Sequence, residues 1–416
     1  MKIALLGYGK EGKSVEQYFI KHHSDTICDI FTDFTPEEIR QKDFSGYDFV
    51  FRSPSVPPLH LNNETSVTKF FFDHCPCPII GVTATKGKGT TCSFIKSLLD
   101  AHHENAYLIG NIGTPALDIL DDLQPTSTIV YEMSSFQLWD LTKSPHIAVL
   151  GHLEPDHLNV HKDYEDYLAA KANITKYQSN QDYLIFNQNN TEAVKIAISS
   201  KATKIAYPFN NYNEIEKIIQ DSISLPGRHN QENAMAAIAA VACFYNISPD
   251  EYLRIKQDTI LAGLSNFKGL PHRLEFLRDL DGIKIYDDNF ATNLSSTRVA
   301  IDSFKHSNLT IIVGGRDKTN DQDLPELYEL LKSPQVKNII LIGESGHELF
   351  KKYSDNRFTL SETLEDAVRQ AIDKAHQTAT DDRDNILLMS PAAASFDMFQ
   401  NVYDRGDQFK LLISSL

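Results

Sequence analysis

The run Pro78-Ile79-Ile80-Gly81-Val82-Thr83-Ala84-Thr85-Lys86-Gly87-Lys88-Gly89-Thr90-Thr91 sets an apolar strand, a loop of small residues with two lysines, and the approach to a helix over Ser93–Ala101 in direct succession. Such a loop turns several backbone N–H groups toward one point, and the following helix adds its positive end, so the segment suits the phosphates of a nucleoside triphosphate. Lys88 would reach the terminal phosphates and a hydroxyl, for which Thr90 is favoured, would sit on a magnesium ion; Thr85, Lys86, Gly87, Gly89 and Thr91 complete the ATP loop. The loop departs from the common form in two ways. Gly81 stands one residue too far from Gly87-Lys88, and Gly89 follows the lysine where Ser or Thr is usual.

Other residues at expected strand ends carry complementary chemistry. Glu132 follows the run Thr128–Tyr131, where an acid on a neighbouring strand of a phosphate-loop enzyme holds magnesium. His157 comes soon after the strand expected at Ile147–Leu150, on the same side of the sheet. Lys171 sits on an Ala-rich helix and, read locally, is a solvated cation. Asn230 reads as the N-cap of a long Ala-rich helix, and Asn233, one turn later, has amide groups suited to adenine or phosphate. Arg273, in Gly269-Leu270-Pro271-His272-Arg273, offers a guanidinium for a γ-phosphate. Near the N-terminus, Gly7-Tyr8-Gly9-Lys10-Glu11-Gly12 fits G-x-G-x-x-G, with Asp33 about 20 residues on as a ribose-binding carboxylate. By itself that motif suggests a dinucleotide dehydrogenase. Arg52 and Ser53 add a cation and a hydroxyl over the same sheet edge.

Short apolar runs alternate with helical patterns along the chain, which predicts α/β layering with mostly parallel sheets. Strands are expected at Ile3–Leu6, Ile27–Thr32, Phe49–Arg52, Ile79–Thr83, Ile129–Tyr131, Ile147–Leu150, Tyr183–Phe186, Ile283–Tyr286, Leu309–Val313, Asn338–Ile342 and Asn385–Met389. Helices are expected at Gly12–His22, Tyr164–Tyr177, Gln231–Tyr245, Leu294–Phe304 and Leu364–His376. With 416 residues the chain exceeds one hydrophobic core, and boundaries are expected before Ile79 and near Leu270-Pro271. The formal charge of −16 argues against a general nucleic-acid binder. Five scattered cysteines suit reduced thiols, the first apolar run is too short for a secretory signal, and no run reaches the length of a membrane span. A cytoplasmic protein without membrane insertion is expected.

Taken in order, the motifs at 7–12, Glu132-Met133-Ser134-Ser135-Phe136-Gln137-Leu138, Gly269 to Glu275, Ser395-Phe396-Asp397-Met398-Phe399 and Arg405-Gly406-Asp407-Gln408-Phe409 resemble the bacterial Mur ligases over essentially the full length. The resemblance implies three domains: a Rossmann-like UDP-precursor domain over 1–78, a phosphate-loop-type central ATPase over 79–269, and a Rossmann-like amino-acid domain over 270–416. It implies an ATP-dependent ligase that adds glutamate to UDP-N-acetylmuramoyl-L-alanine through an acyl phosphate, acting as a monomer in peptidoglycan precursor synthesis. By the same resemblance the first glycine motif seats UDP, so Gly7, Tyr8, Gly9, Lys10, Asp33, Arg52, Ser53 and Asn111 would hold the precursor. Glu132 and His157, with Thr90, become magnesium ligands for two ions, and Lys171 matches a lysine that the family carbamylates with CO2. Asn233 and Asp288 would contact ATP, with Arg273 near its phosphates; Thr292, Lys318, Ser395 and Phe396 would hold glutamate. Lys88, His157, Lys171 and Arg273 form the expected catalytic set. The loop is closer to the folylpolyglutamate synthase version, and Phe290 replaces a family lysine in Asp288-Asn289-Phe290-Ala291-Thr292-Asn293. The alternatives are therefore a folylpolyglutamate synthase-like ligase and a Mur-like nucleotide-binding protein without turnover.

Overall fold

The computed structural model describes residues 1–416 apart from 210–218, 221, 224, 317–322, 380 and 381. The chain forms two compact units, one of Met1–Ser222 with Gln231–Phe267 and one of Ile223–Asn230 with Lys268–Leu416.

The first unit carries two sheets. The N-terminal one has β1 (Lys2–Leu6), β2 (Ile27–Phe31), β3 (Phe49–Arg52) and β4 (Glu64–Ser66) in the order β2-β1-β3-β4, all parallel. The second has β5 (Ile79–Thr83), β6 (Ala106–Gly110), β7 (Thr128–Glu132), β8 (Ile147–Leu150), β9 (Tyr183–Asn187) and β10 (Thr203–Tyr207), again parallel, in the order β10-β9-β8-β5-β7-β6. A shared core joins them. Phe71 and Phe72 on the helix Val67–His74 pack against Tyr131 of β7, with ring centroids 5.7 and 6.0 Å apart, and the Tyr131 hydroxyl donates to Thr68 Oγ1 at 3.1 Å. Buried aromatic rings of this size contribute much of a core's stability through the apolar area they remove from water.

The second unit holds β11 (Glu275–Leu280), β12 (Ile283–Asp287), β13 (Asn308–Gly314), β14 (Val336–Ile342), β15 (Phe358–Leu360) and β16 (Asn385–Met389) in the order β11-β12-β16-β13-β14-β15. Only β11, paired with β12, runs antiparallel among these described strands. The expected α/β class with mostly parallel sheets is therefore observed.

All the expected strands form, with ends shifted by a residue or two. Five strands were not foreseen: β4, β6, β10, β11 and β15. Every one lies at the edge of its sheet. Edge strands keep part of each face in water, so β4, β10 and β11 lack the continuous apolar run that marks an interior strand, and β15 is only three residues long; β6 (AYLIG) has such a run and was overlooked. Three helix starts also differ from expectation, the first by two residues, at Lys10 rather than Gly12. Helix α1 (Lys88–Ala101) begins at the lysine rather than at Ser93, and α3 (Arg228–Phe244), after α2 (Tyr164–Lys176), begins two residues before Asn230. Asn230 is thus inside the first turn, where its Nδ2 donates to Pro226 O at 2.7 Å, and it is not the N-cap.

Candidate active site

Strand order builds the centre of the first unit. β5 lies between β7 and β8, so the loop leaving β5 is flanked by the ends of both neighbours. Glu132 closes β7 opposite Val82, and the segment leaving β8 runs through Gly151, whose N–H donates to Thr83 O at 2.8 Å, toward His157. A crevice at the carboxyl ends of strands where the connections diverge is the standard ligand position in open α/β sheets.

The phosphate loop is braced on both sides. Thr85 N–H donates to His152 O at 2.7 Å; Thr85 Oγ1 donates to Glu154 O at 3.1 Å and shares a 2.7 Å hydrogen bond with Tyr167 OH. Lys86 pairs with Glu154 at 2.8 Å. Gly87 caps α1 with φ +84°, a left-handed conformation that costs a side-chain-bearing residue energy, and a Cβ there would lie 2.6 Å from Asn233 Oδ1. Only glycine fits. Asn233 itself accepts from Thr91 Oγ1 at 3.2 Å, which ties α3 to the loop and commits the Thr91 hydroxyl, in favour of Thr90 as the one for a cation. Lys88 Nζ folds back onto Ala84 O (2.9 Å) and Thr85 O (3.1 Å) at the loop mouth.

Lys171 is the surprise of this centre. Its local sequence reads as solvated, yet it is 1% exposed, one of the largest fully buried side chains. Its Nζ donates to Thr83 Oγ1 at 3.1 Å and Ala84 O at 2.8 Å, directly beneath the phosphate loop. Burial pushes its pKa well below the usual lysine range and the Lys88 charge adds to this, against weaker pulls from Asp156 and Glu132. His157 has a left-handed backbone (φ +54°) and packs on Phe136, ring centroids 4.9 Å apart. Its pKa is lowered, chiefly by partial burial and also by the Lys88 charge, with Asp156 opposing, which favours the neutral imidazole, the form that ligates metals. Glu132 is 4% exposed and acts on the titration of Lys171, so these groups share one electrostatic neighbourhood. A buried carboxylate, a neutral imidazole and a lysine amine biased to its uncharged form fit a magnesium ion, given an oxygen donor built on the amine. Asp156, Tyr167 and Glu154 belong to this centre and were missed. Asp156 is adjacent to His157 in sequence, which was the available signal.

At the end of β1, Gly7 (φ +94°) lies where a Cβ would be 2.4 Å from Ser53 Oγ, which brings the first glycine motif and Ser53 together. Gly9 caps the helix Lys10–His22, the Tyr8 hydroxyl bonds Glu16, and Asp33 lies exposed beyond β2. Asn111 N–H donates to Glu132 O at 3.3 Å, so the loop after β6 adjoins the β7 end. Arg52 ends β3 opposite Leu6, at the same edge. Its guanidinium is fully buried, paired with Asp140, within 3.8 Å of Glu64, and donates to Val56 O and Phe136 O at 3.0 and 3.1 Å. So held, it braces the fold.

In the second unit Asp288, 8% exposed, follows β12 and accepts from Leu274 N–H (3.2 Å) and Ser390 Oγ (2.8 Å). Burial pushes its carboxyl up to about 7, against these hydrogen bonds and Arg273. Arg273 lies 5.3 Å from the Phe290 ring centroid, a cation–π contact; the ring in place of the family lysine seats this guanidinium. Ser395 is 1% exposed with its Oγ buried and without a hydrogen-bond partner, Thr292 is half-buried, and Phe396 is 61% exposed. Buried Arg405, missed as a site-shaping group, donates to Asn289, Ala393 and Ala394 and so ties the Asp288 and Ser395 loops together. Lys318 lies outside the described residues.

Residues 82–241 match the family model of the Mur ligase middle domain, and 272–391 that of the Mur ligase glutamate ligase domain. The chain is 33% identical over 411 residues to the UDP-N-acetylmuramoylalanine–D-glutamate ligase of Acetivibrio thermocellus, spanning 89% of this chain and 83% of that one. It is 35% identical over 405 residues to the enzyme of the same name from Streptococcus agalactiae serotype V, spanning 90% and 84%. The fold is similar to the crystal structure of UDP-N-acetylmuramate-alanine ligase from Thermotoga maritima, with TM-score 0.59, 15% identity, and coverage of 100% and 99%.

Proposed function

The chain belongs to the Mur ligases, and from that membership we propose that it joins D-glutamate to UDP-N-acetylmuramoyl-L-alanine at the expense of ATP, in the synthesis of peptidoglycan precursor. The observation that carries this reading is the phosphate loop of β5 set between Glu132 and His157 over a buried Lys171. The γ-phosphoryl group passes to the terminal carboxylate of the precursor, giving an acyl phosphate. The amine of glutamate attacks its carbonyl, and phosphate leaves from the tetrahedral intermediate. No protein nucleophile is required; positioning and charge stabilisation do the work.

Lys88 and Arg273 take up charge developing on the phosphoryl oxygens, while Thr85, Lys86, Gly87, Gly89, Thr90, Thr91, Asn233 and Asp288 hold ATP. Thr90, Glu132, His157 and the Lys171 carbamate would hold two magnesium ions, which when bound supply Lewis-acid neutralisation of the phosphates. The Lys171 amine, biased toward its uncharged form by burial, can attack CO2 and release a proton, leaving an anion with two oxygen donors. Gly7, Tyr8, Gly9, Lys10, Asp33, Ser53 and Asn111 hold the UDP-precursor. Thr292, Lys318, Ser395 and Phe396 hold glutamate, and the buried Ser395 hydroxyl suits a carboxylate acceptor. We assign precursor, ATP and amino-acid domains to 1–78, 79–269 and 270–416, in a cytoplasmic monomer.

Phosphate release tests the proposal. It is expected only with ATP, magnesium, UDP-N-acetylmuramoyl-L-alanine and D-glutamate together, and L-glutamate should be inert. Turnover with a folate in place of the UDP-sugar would overturn the assignment in favour of a folylpolyglutamate synthase-like ligase.

A further inference from the structure

A cavity of about 810 Å³ in the first unit lies apart from the phosphate loop, on the Asn173 and Lys176 side of α2. Its volume falls in the range of small-molecule sites. Lys171 meets the loop from the same helix, so the two sites use different faces of α2. The cavity is walled by Arg40, Lys69, Lys162 and Lys176, with Trp139 and Tyr177 offering rings.

The charges in this wall are unevenly matched. Every lining carboxylate is already engaged. Asp140 pairs with buried Arg52; Glu64 accepts from Leu59 and Leu61 N–H groups at 2.9 and 3.0 Å; Asp166 accepts from the His161 ring at 3.0 Å and Lys162 N–H at 3.3 Å. Among the described residues, by contrast, no carboxylate lies within ion-pair distance of Lys69, Lys162 or Lys176, and Arg40 only touches exposed Glu37 at 4.0 Å. Lys176 Nζ stands 5.4 Å from the Tyr177 ring centroid, an arrangement that places cation and ring side by side. The four lining cations outnumber the three lining carboxylates by one, and those carboxylates are already engaged, in a chain whose formal charge is −16. A locally cationic, concave wall in an acidic protein concentrates anions there.

We infer that this cavity is a second binding site, for a nucleoside 5′-phosphate: a ring to stack on Trp139 or Tyr177 and a phosphate dianion to meet the lysines that no carboxylate neutralises. Arg40 and the three lysines hold the phosphate as charge-assisted donors. Because Lys162 and Lys176 belong to neither the ATP nor the precursor set, occupancy of this site is separable from turnover.

Trp139 is the single tryptophan of the chain, so its fluorescence reports on the cavity. The full chain is titrated with guanosine 5′-monophosphate, and with guanosine and inorganic phosphate as separate arms, in the native protein, Lys88→Ala and the double variant Lys162→Glu/Lys176→Glu. Expected is a saturable change with the nucleotide, kept in Lys88→Ala, weakened about tenfold or more in the double variant, and weaker with either half of the ligand. Phosphate-release activity of the double variant should persist. Equal titration in native and double variant, guanosine binding as well as its phosphate, loss of the signal in Lys88→Ala, or no change up to about 10 mM nucleotide would each overturn the site without touching the ligase reading.

Discussion

Replacing Lys171 separates a structural lysine from one that must carry a carbamate. Its amine makes two hydrogen bonds, to Thr83 Oγ1 and Ala84 O. Neither acceptor is orphaned by its removal, since Thr83 Oγ1 also donates to Met133 O at 2.7 Å and Ala84 O also accepts from Lys88. Lys171→Met keeps most of the buried volume, so the loss is two net hydrogen bonds of about 1 kcal/mol each, offset in part by no longer burying an ionisable amine. Thermal stability should therefore change by only a few degrees. Activity should fall by roughly 10²–10³ or more, the scale of removing one preorganised charge-stabilising group. Lys171→Arg keeps a cation yet forms no comparable carbamate, and should be as inactive. Lys171→Ala leaves a gap costing about 2–4 kcal/mol, into which acetate can enter and restore part of the rate. The assays are phosphate release, thermal melting, and carbon-13 NMR of the native protein in labelled bicarbonate, where a carbamate resonance should appear and vanish in each variant. Full turnover in Lys171→Arg, or a collapse of stability in Lys171→Met that accounts for its inactivity, would refute the reasoning.

Lys88→Ala should abolish turnover while calorimetry finds precursor affinity nearly unchanged, because the two ligands meet different loops; equal loss of both would undo the site division. Gly87→Ala places a Cβ 2.6 Å from Asn233 Oδ1 at φ +84°, so it should cost about 2 kcal/mol or more and weaken ATP binding; a variant with native melting and ATP affinity contradicts the geometry. Asp288 has a folded pKa raised from 3.8 to about 7, so the folded chain holds a proton the unfolded chain has lost between those values, and its contribution to stability declines as pH rises through that window and levels off above it. Asp288→Asn should accordingly gain on the native protein by on the order of 3 kcal/mol between pH 5 and pH 8, read from denaturant midpoints; parallel pH profiles would show that the carboxyl titrates normally.

What was legible in the sequence and what was not divides along a physical line. A strand buried on both faces has to be a continuous apolar run, so interior strands such as Ile79–Thr83 and Asn385–Met389 were readable, as were loops whose conformation demands particular residues, above all Thr85 to Thr91. The order of the motifs sufficed for the family. Edge strands such as Glu64–Ser66 and Thr203–Tyr207 escaped because pairing, and not composition, makes them strands. Burial of charge escaped for a related reason. Lys171 and Arg52 look alike in sequence, each a cation beside small or apolar residues, and both are buried. Only tertiary structure distinguishes them. Arg52 meets Asp140 and neighbouring carbonyls, so its charge is neutralised and it braces the fold, while Lys171 meets a hydroxyl, a carbonyl and the charge of Lys88, so its proton is disfavoured and its amine is left reactive. The position of β5 between β7 and β8 likewise decides that Glu132 and His157 flank one loop, because parallel pairing brings together strand ends that the chain itself holds far apart.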